Sequence, residues 1–142
     1  MYREMLVALL FTGCVHEQSF LEQVAMARVR WEHATCRTPK YRLVSLLPRI
    51  SECGPAKDNF SGCYDRHSGT IEISKKIALV PGLRYQVITH EMGHSLGPST
   101  HVPDDTGLMS PYTDHSLPTI TEADLDLICQ EIDCPCRNPE SP

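Results

Sequence analysis

With 142 residues the chain has room for one domain and at most a short targeting segment. Hydrophobic residues at 41% and charged residues at 22% fit an ordinary globular domain and exclude a disordered one. The net charge of -5 and the lack of a basic stripe give no footing for nucleic acid, and no apolar run is long enough to span a bilayer as a helix.

Residues 1–14 admit two readings. Arg3, an apolar core over residues 5–11 and Thr12-Gly13-Cys14 together read as a lipoprotein signal peptide, with Cys14 as the lipidated first residue of an exported, membrane-anchored protein. The alternative is a buried first strand over residues 6–11. Cysteine arithmetic favours the signal, because Cys36, Cys53, Cys63, Cys129, Cys134 and Cys136 remain as an even set. Seven cysteines in so short a chain fit an oxidising, exported location, bacterial envelope or extracellular, and a Cys53–Cys63 link across residues 54–62 is expected. Cys134-Pro135-Cys136 lacks the two-residue gap of a zinc knuckle, and no cysteine sits in a nucleophile motif.

The main domain, residues 15–142, then follows in order. Residues 17–34 have helical spacing, with Phe20, Val24 and Trp31 on or near one face. Residues 41–47 form a strand stopped by Pro48, and residues 51–62 are a loop. A hairpin is expected from 62–65 and 70–74 around Arg66-His67-Ser68-Gly69. In its second arm Ile71 and Ile73 alternate with polar residues, which predicts one buried sheet face.

A second helix is expected over residues 83–96, after the break at Pro81-Gly82, with Tyr85, Ile88, Met92 and Leu96 facing the core. Residues 101–117, dense in proline, glycine and aspartate, fit the floor and wall of a cleft. Thr121-Glu122-Ala123-Asp124 approximates a capping box for a last helix with Leu125, Ile128 and Ile132 as its stripe. A proline-containing tail closes the chain.

The second helix carries the chemistry. His90 and His94 are four apart, one turn from each other, close enough to share one metal ion. Glu91 lies at the flank of that face, where it can reach a metal-bound water without being a ligand. Gly97 is a helix stop, after which the chain can bring His101 under the metal as a third ligand, leaving one tetrahedral position open. Asp104 and Asp105 are alternative third ligands, although they look more like turn residues. His16, His33, His67 and His115 lack ligand spacing.

His90-Glu91-Met92-Gly93-His94, Gly97, His101 and Gly107-Leu108-Met109-Ser110-Pro111-Tyr112 resemble the metzincin metallopeptidases, and within them the matrixin-like catalytic domains. Phe20 to Ala25 through Trp31 to Thr35 looks like the family's first helix, and Ile120 to Ile128 its last, so the likeness spans about residues 17–133. The resemblance implies an α+β, metzincin-like (zincin) fold: a small mixed, twisted sheet on a first helix and an active-site helix, with a C-terminal helix beneath the site. It implies a monomeric zinc-dependent metalloendopeptidase acting on proteins or peptides through a zinc-activated water, with Glu91 as general base and acid. One catalytic Zn2+ is implied; Ca2+ is not indicated, since no comparable acidic loop appears. Met109 would be the apolar floor under the imidazoles, Tyr112 an oxyanion or specificity-pocket residue, and residues 70–74 the edge strand along which substrate lies.

The family spacing would put the third ligand at Thr100, one place before His101. The interval from His101 to Met109 is the expected one, so the extra residue falls in Pro98-Ser99-Thr100, a loop able to absorb it. Two other functions compete: an inactive exported lipoprotein binding module that retains the fold, and a zinc hydrolase acting on something other than protein. Intact Glu91 speaks against the first, and the methionine turn against the second.

Overall fold

A computed structural model describes residues 19–47, 61–77, 79–104, 106–111 and 119–140. The signal peptide or first strand, Cys14, His16, the expected Cys53–Cys63 link, Asp105, Tyr112 and His115 involve residues outside these. The described part is α+β, with three α-helices and a three-stranded sheet.

Helix α1 (Phe20–Thr35) starts later than its periodicity suggested, because Ser19 caps it. The Ser19 Oγ accepts the Glu22 backbone N–H at 3.2 Å, and the Ser19 N–H donates to the Glu22 carboxylate at 2.7 Å. Cys36 ends the helix in the left-handed region, at φ 54. Trp31 is fully buried, and its indole N–H donates to the Thr89 carbonyl at 2.7 Å, tying α1 to the helix that carries His90 and His94.

Strands β1 (Leu43–Leu47), β2 (Gly62–Asp65) and β3 (Thr70–Ser74) lie in the order β1-β3-β2. β1 runs parallel to β3, and β2 is its antiparallel hairpin partner. This corrects the expectation that residues 70–74 are an edge strand with one buried face. β3 is paired on both sides, and its polar Glu72 and Ser74 are buried along with Ile71 and Ile73. Alternation reports which face is apolar, but not whether the polar face is left open to water, and here Glu72 and Ser74 are withdrawn from it as well. In the described sheet the edges are β1 and β2.

Helix α2 (Pro81–His94) begins at Pro81, whose missing N–H costs nothing in the first turn. It is buried on more than its apolar stripe: Arg84, Gln86, Thr89, His90 and Glu91 are withdrawn from solvent beside Ile88 and Met92. The helix ends at His94 and not at Leu96. Ser95, Leu96 and Gly97 continue as a tighter turn, their N–H groups donating three residues back at 3.1, 3.0 and 3.1 Å. Gly97, at φ 151, occupies backbone space that side-chain-bearing residues rarely adopt, although outside the helical left-handed well expected of a stop.

Helix α3 (Glu122–Cys129) is opened by the capping box of Thr121 and Asp124 and buries Leu125 and Ile128. The tail after it folds back onto α1. Disulfides Cys36–Cys136 and Cys129–Cys134 pin it, and the Asn138 N–H donates to the Ala34 carbonyl at 2.9 Å. The Glu140 carboxylate takes two bonds from the half-buried Arg30 guanidinium and one from the Ile120 N–H. Two disulfides fit an oxidising location, and no described helix is long and apolar enough to cross a membrane.

The Cys36–Cys136 bridge closes a separation of 100 residues, so its removal frees much of the unfolded chain. Cys136→Ser is expected to destabilise the domain by about 2–5 kcal/mol, seen as a lower urea midpoint. An unchanged midpoint would show that the tail contributes nothing to holding α1.

Candidate metal centre

Three imidazoles converge. The Nε2 of His94 lies 3.2 Å from that of His90 and 3.2 Å from that of His101. All three ligand atoms fall within 4.8 Å of one another, and they form the one such group of metal-ligating side chains among the described residues. Zinc–nitrogen bonds of roughly 2.0–2.1 Å in a tetrahedron place neighbouring donors about 3.3–3.4 Å apart, so the observed spacing suits such an ion.

The tautomers make the fit sharper. His90 Nδ1 is 2.8 Å from the Leu108 carbonyl and His94 Nδ1 is 2.8 Å from the Pro98 carbonyl. A carbonyl can only accept, so each Nδ1 carries the proton and each Nε2 presents a lone pair. Two lone pairs facing each other at 3.2 Å repel unless a cation lies between them. Burial holds both rings in this neutral form. Together with the neighbouring imidazoles, it pushes His90 down to about 3 and His94 to about 4. His101, at the exposed mouth of the site, is also lowered by partial burial.

The sequence-predicted ligands are therefore brought together, and the shift of the third histidine is absorbed as expected. Ser99 and Thr100 are exposed in the loop, while the Pro98 carbonyl stays inside on His94. Beyond His101, the Val102 N–H donates to the Met109 carbonyl at 3.1 Å and closes the loop. Asp104 sits in an exposed turn and is not in the cluster, and His33 and His67 are also elsewhere.

Glu91 is buried beside β2. Its carboxylate accepts the Tyr64 backbone N–H, yet desolvation dominates and raises its pKa to about 8. Gly62 makes room for it, since a Cβ there would fall 2.9 Å from the Glu91 Cγ and 2.6 Å from a Val87 methyl. Met109 is fully buried and packs on α2 between the two histidines. A Cβ on Gly93 would meet its Sδ at 2.4 Å and the Trp31 ring at 2.8 Å. Gly93 thus accepts the helix penalty of a glycine, about 1 kcal/mol, so that the floor can approach the backbone.

Asp124 was read only as a cap, but it does more. Its fully buried carboxylate takes the Leu108 N–H at 2.9 Å, the Met109 N–H at 2.7 Å and the Thr121 N–H at 2.7 Å. The same peptide group whose carbonyl holds His90 follows directly from Leu108, so α3 fixes the ligand through one residue. Gly107 is required beside it, because a Cβ there would sit 2.4 Å from an Asp124 oxygen. In sequence, Gly62, Gly93 and Gly107 offered only small size, with no neighbour to explain it.

No protein-family model, curated protein or solved structure matches this chain.

The buried groups set how the metal-free protein responds to pH. His90 and His94 are depressed below their ordinary 6.5, so the unfolded chain binds more protons and stability falls as pH drops through 6.5 toward 3–4. Glu91 is raised from 4.5 to about 8, so its contribution is lost as pH rises across that interval. Between 4.5 and 6.5 two histidines oppose one carboxyl, which puts the maximum near pH 6.5. Urea midpoints of chelator-treated protein should peak there, and Glu91→Gln should flatten the decline on the alkaline side. A midpoint that keeps rising from pH 6.5 to 8 would contradict the burial of Glu91.

Proposed function

We propose that this chain is a zinc-dependent metalloendopeptidase of the metzincin type, matrixin-like in organisation, exported to an oxidising location. The carrying observation is the pair of histidines whose Nδ1 atoms are spent on backbone carbonyls, so that three Nε2 atoms meet with no proton between the first two. Imidazole nitrogens suit zinc, as they do copper, nickel and iron, and a three-nitrogen set leaves a position open for chemistry.

Zinc held there supplies a Lewis acid that polarises a peptide carbonyl and acidifies water. The chain's own residues do the rest. His90, His94 and His101 are neutral and add no negative charge to weaken that effect. Glu91, with a proton affinity set near neutrality by burial, accepts the proton of the attacking water and delivers it to the departing amine nitrogen. Its bond from the Tyr64 N–H holds the carboxylate against β2. As an edge strand, β2 and not β3 is the template along which an extended peptide would lie. Met109 keeps the underside of the site apolar.

Glu91→Gln is expected to lower cleavage of a denatured protein by about 10²–10⁴-fold while retaining one zinc per chain by elemental analysis. His94→Ala should lose both metal and activity, and a chelator should silence the wild type. Near-wild-type cleavage by Glu91→Gln would refute the assigned base.

A further inference from the structure

Arg66 opens the turn between β2 and β3, and its side chain is exposed. Its guanidinium donates to the Gly97 carbonyl, which holds it over the stretch joining His94 to His101. The charge is close enough to disfavour a second positive charge on His94. A guanidinium carries five N–H donors in a fork matched to a carboxylate, and Gly97 occupies one nitrogen.

Among the described residues Arg66 forms no ion pair. The neighbouring Asp65 carboxylate is spent on the His67 and Ser68 N–H groups at 3.0 and 3.1 Å. Glu131 comes near Gly97, its Oε2 lying 3.4 Å from where a Cβ would stand, and leaves Arg66 unpaired. In a chain of net charge -5, Arg66 leaves an unpaired positive charge beside the stretch from His94 to His101.

Its register along β2 gives it a use. Glu91 is bonded to Tyr64, so the reacting region lies beside that residue. Arg66 is two residues further on, in the turn just past the end of β2 and within roughly 7 Å of Tyr64 along the backbone. A peptide lying on β2 with its scissile bond at Glu91 would bring a residue one or two positions away under the guanidinium.

We infer that Arg66 is a specificity-determining residue that selects peptides carrying a carboxylate one or two residues from the cleaved bond. An Asp or Glu side chain and a free C-terminus supply the same chemistry. The inference rests on the peptidase reading for the position of the bond, but carboxylate recognition is separable from cleavage.

The test uses zinc-loaded, full-chain Glu91→Gln and blocked alanine–serine octapeptides with one Asp, Glu, Asn or Gln at each position, alongside the same peptides with a free C-terminal carboxylate. Titration calorimetry is expected to show carboxylate peptides binding about tenfold tighter than their amide counterparts. The position series and the C-terminal series tell the two sources apart. Adding Arg66→Gln should bring that ratio to one, and Arg66→Lys, which keeps the charge without the fork, should leave a reduced ratio even if Arg66→Gln fails to fold. In active protein the same peptides should differ in KM more than in kcat. Equal affinities for acid and amide, including no binding of either, or a ratio that survives Arg66→Gln, would overturn the inference. A binding preference without any cleavage by the wild type would remove the peptidase reading and keep Arg66; cleavage without preference would do the reverse.

Discussion

Two backbone carbonyls, those of Leu108 and Pro98, decide what the imidazoles of His90 and His94 can do. By taking the Nδ1 protons they turn each ring to one orientation and leave the opposite nitrogen as a bare donor. Neither carbonyl belongs to a helix or strand, so each must be held by something else. Leu108 is held by the buried carboxylate of Asp124 through its own N–H, and Pro98 by a turn that the unusual backbone of Gly97 permits. The rest of the molecule serves this arrangement: α1 supplies Trp31 behind α2, and α3 supplies the anchor beneath the turn.

The arrangement is costly in the terms that govern ordinary cores. Helix α2 buries His90, Glu91, Arg84, Gln86 and Thr89, where a helix built for stability alone would carry aliphatic residues. Glu91 receives one backbone bond and no cation among the described protein groups, which leaves it with a raised proton affinity. A buried carboxyl of that kind weakens the fold above neutrality and is what proton transfer requires. Two disulfides and the Arg30–Glu140 pair, joined to the Ile120 N–H, compensate by holding the tail on the rest of the domain.

Local chemistry was legible in the sequence and long-range pairing was not. The β2–β3 hairpin falls where expected, because Gly69 at φ 68 suits the turn and the second arm alternates. The α2 motif and the convergence of His101 were likewise readable from one turn of helix and a short loop. The position of β3 between β1 and β2 departs from the edge role that the resemblance implies, and parallel pairing joins segments that no local pattern in the sequence names. The two tail disulfides are illegible for the same reason, as are the bonds from the Leu108 and Met109 N–H groups to Asp124, whose capping box gives no sign of them.

The stretch from Gly97 to His101 is bracketed at one end by the Pro98 carbonyl and at the other by the Val102–Met109 bond, with Ser99 and Thr100 outside both clamps. The convergence of the three rings is therefore set by the clamps and not by Ser99 and Thr100, and lengthening a short loop by one residue adds little closure entropy. The interval from His94 to His101 can thus change length at small cost, whereas the one-turn interval from His90 to His94 is fixed by the helix.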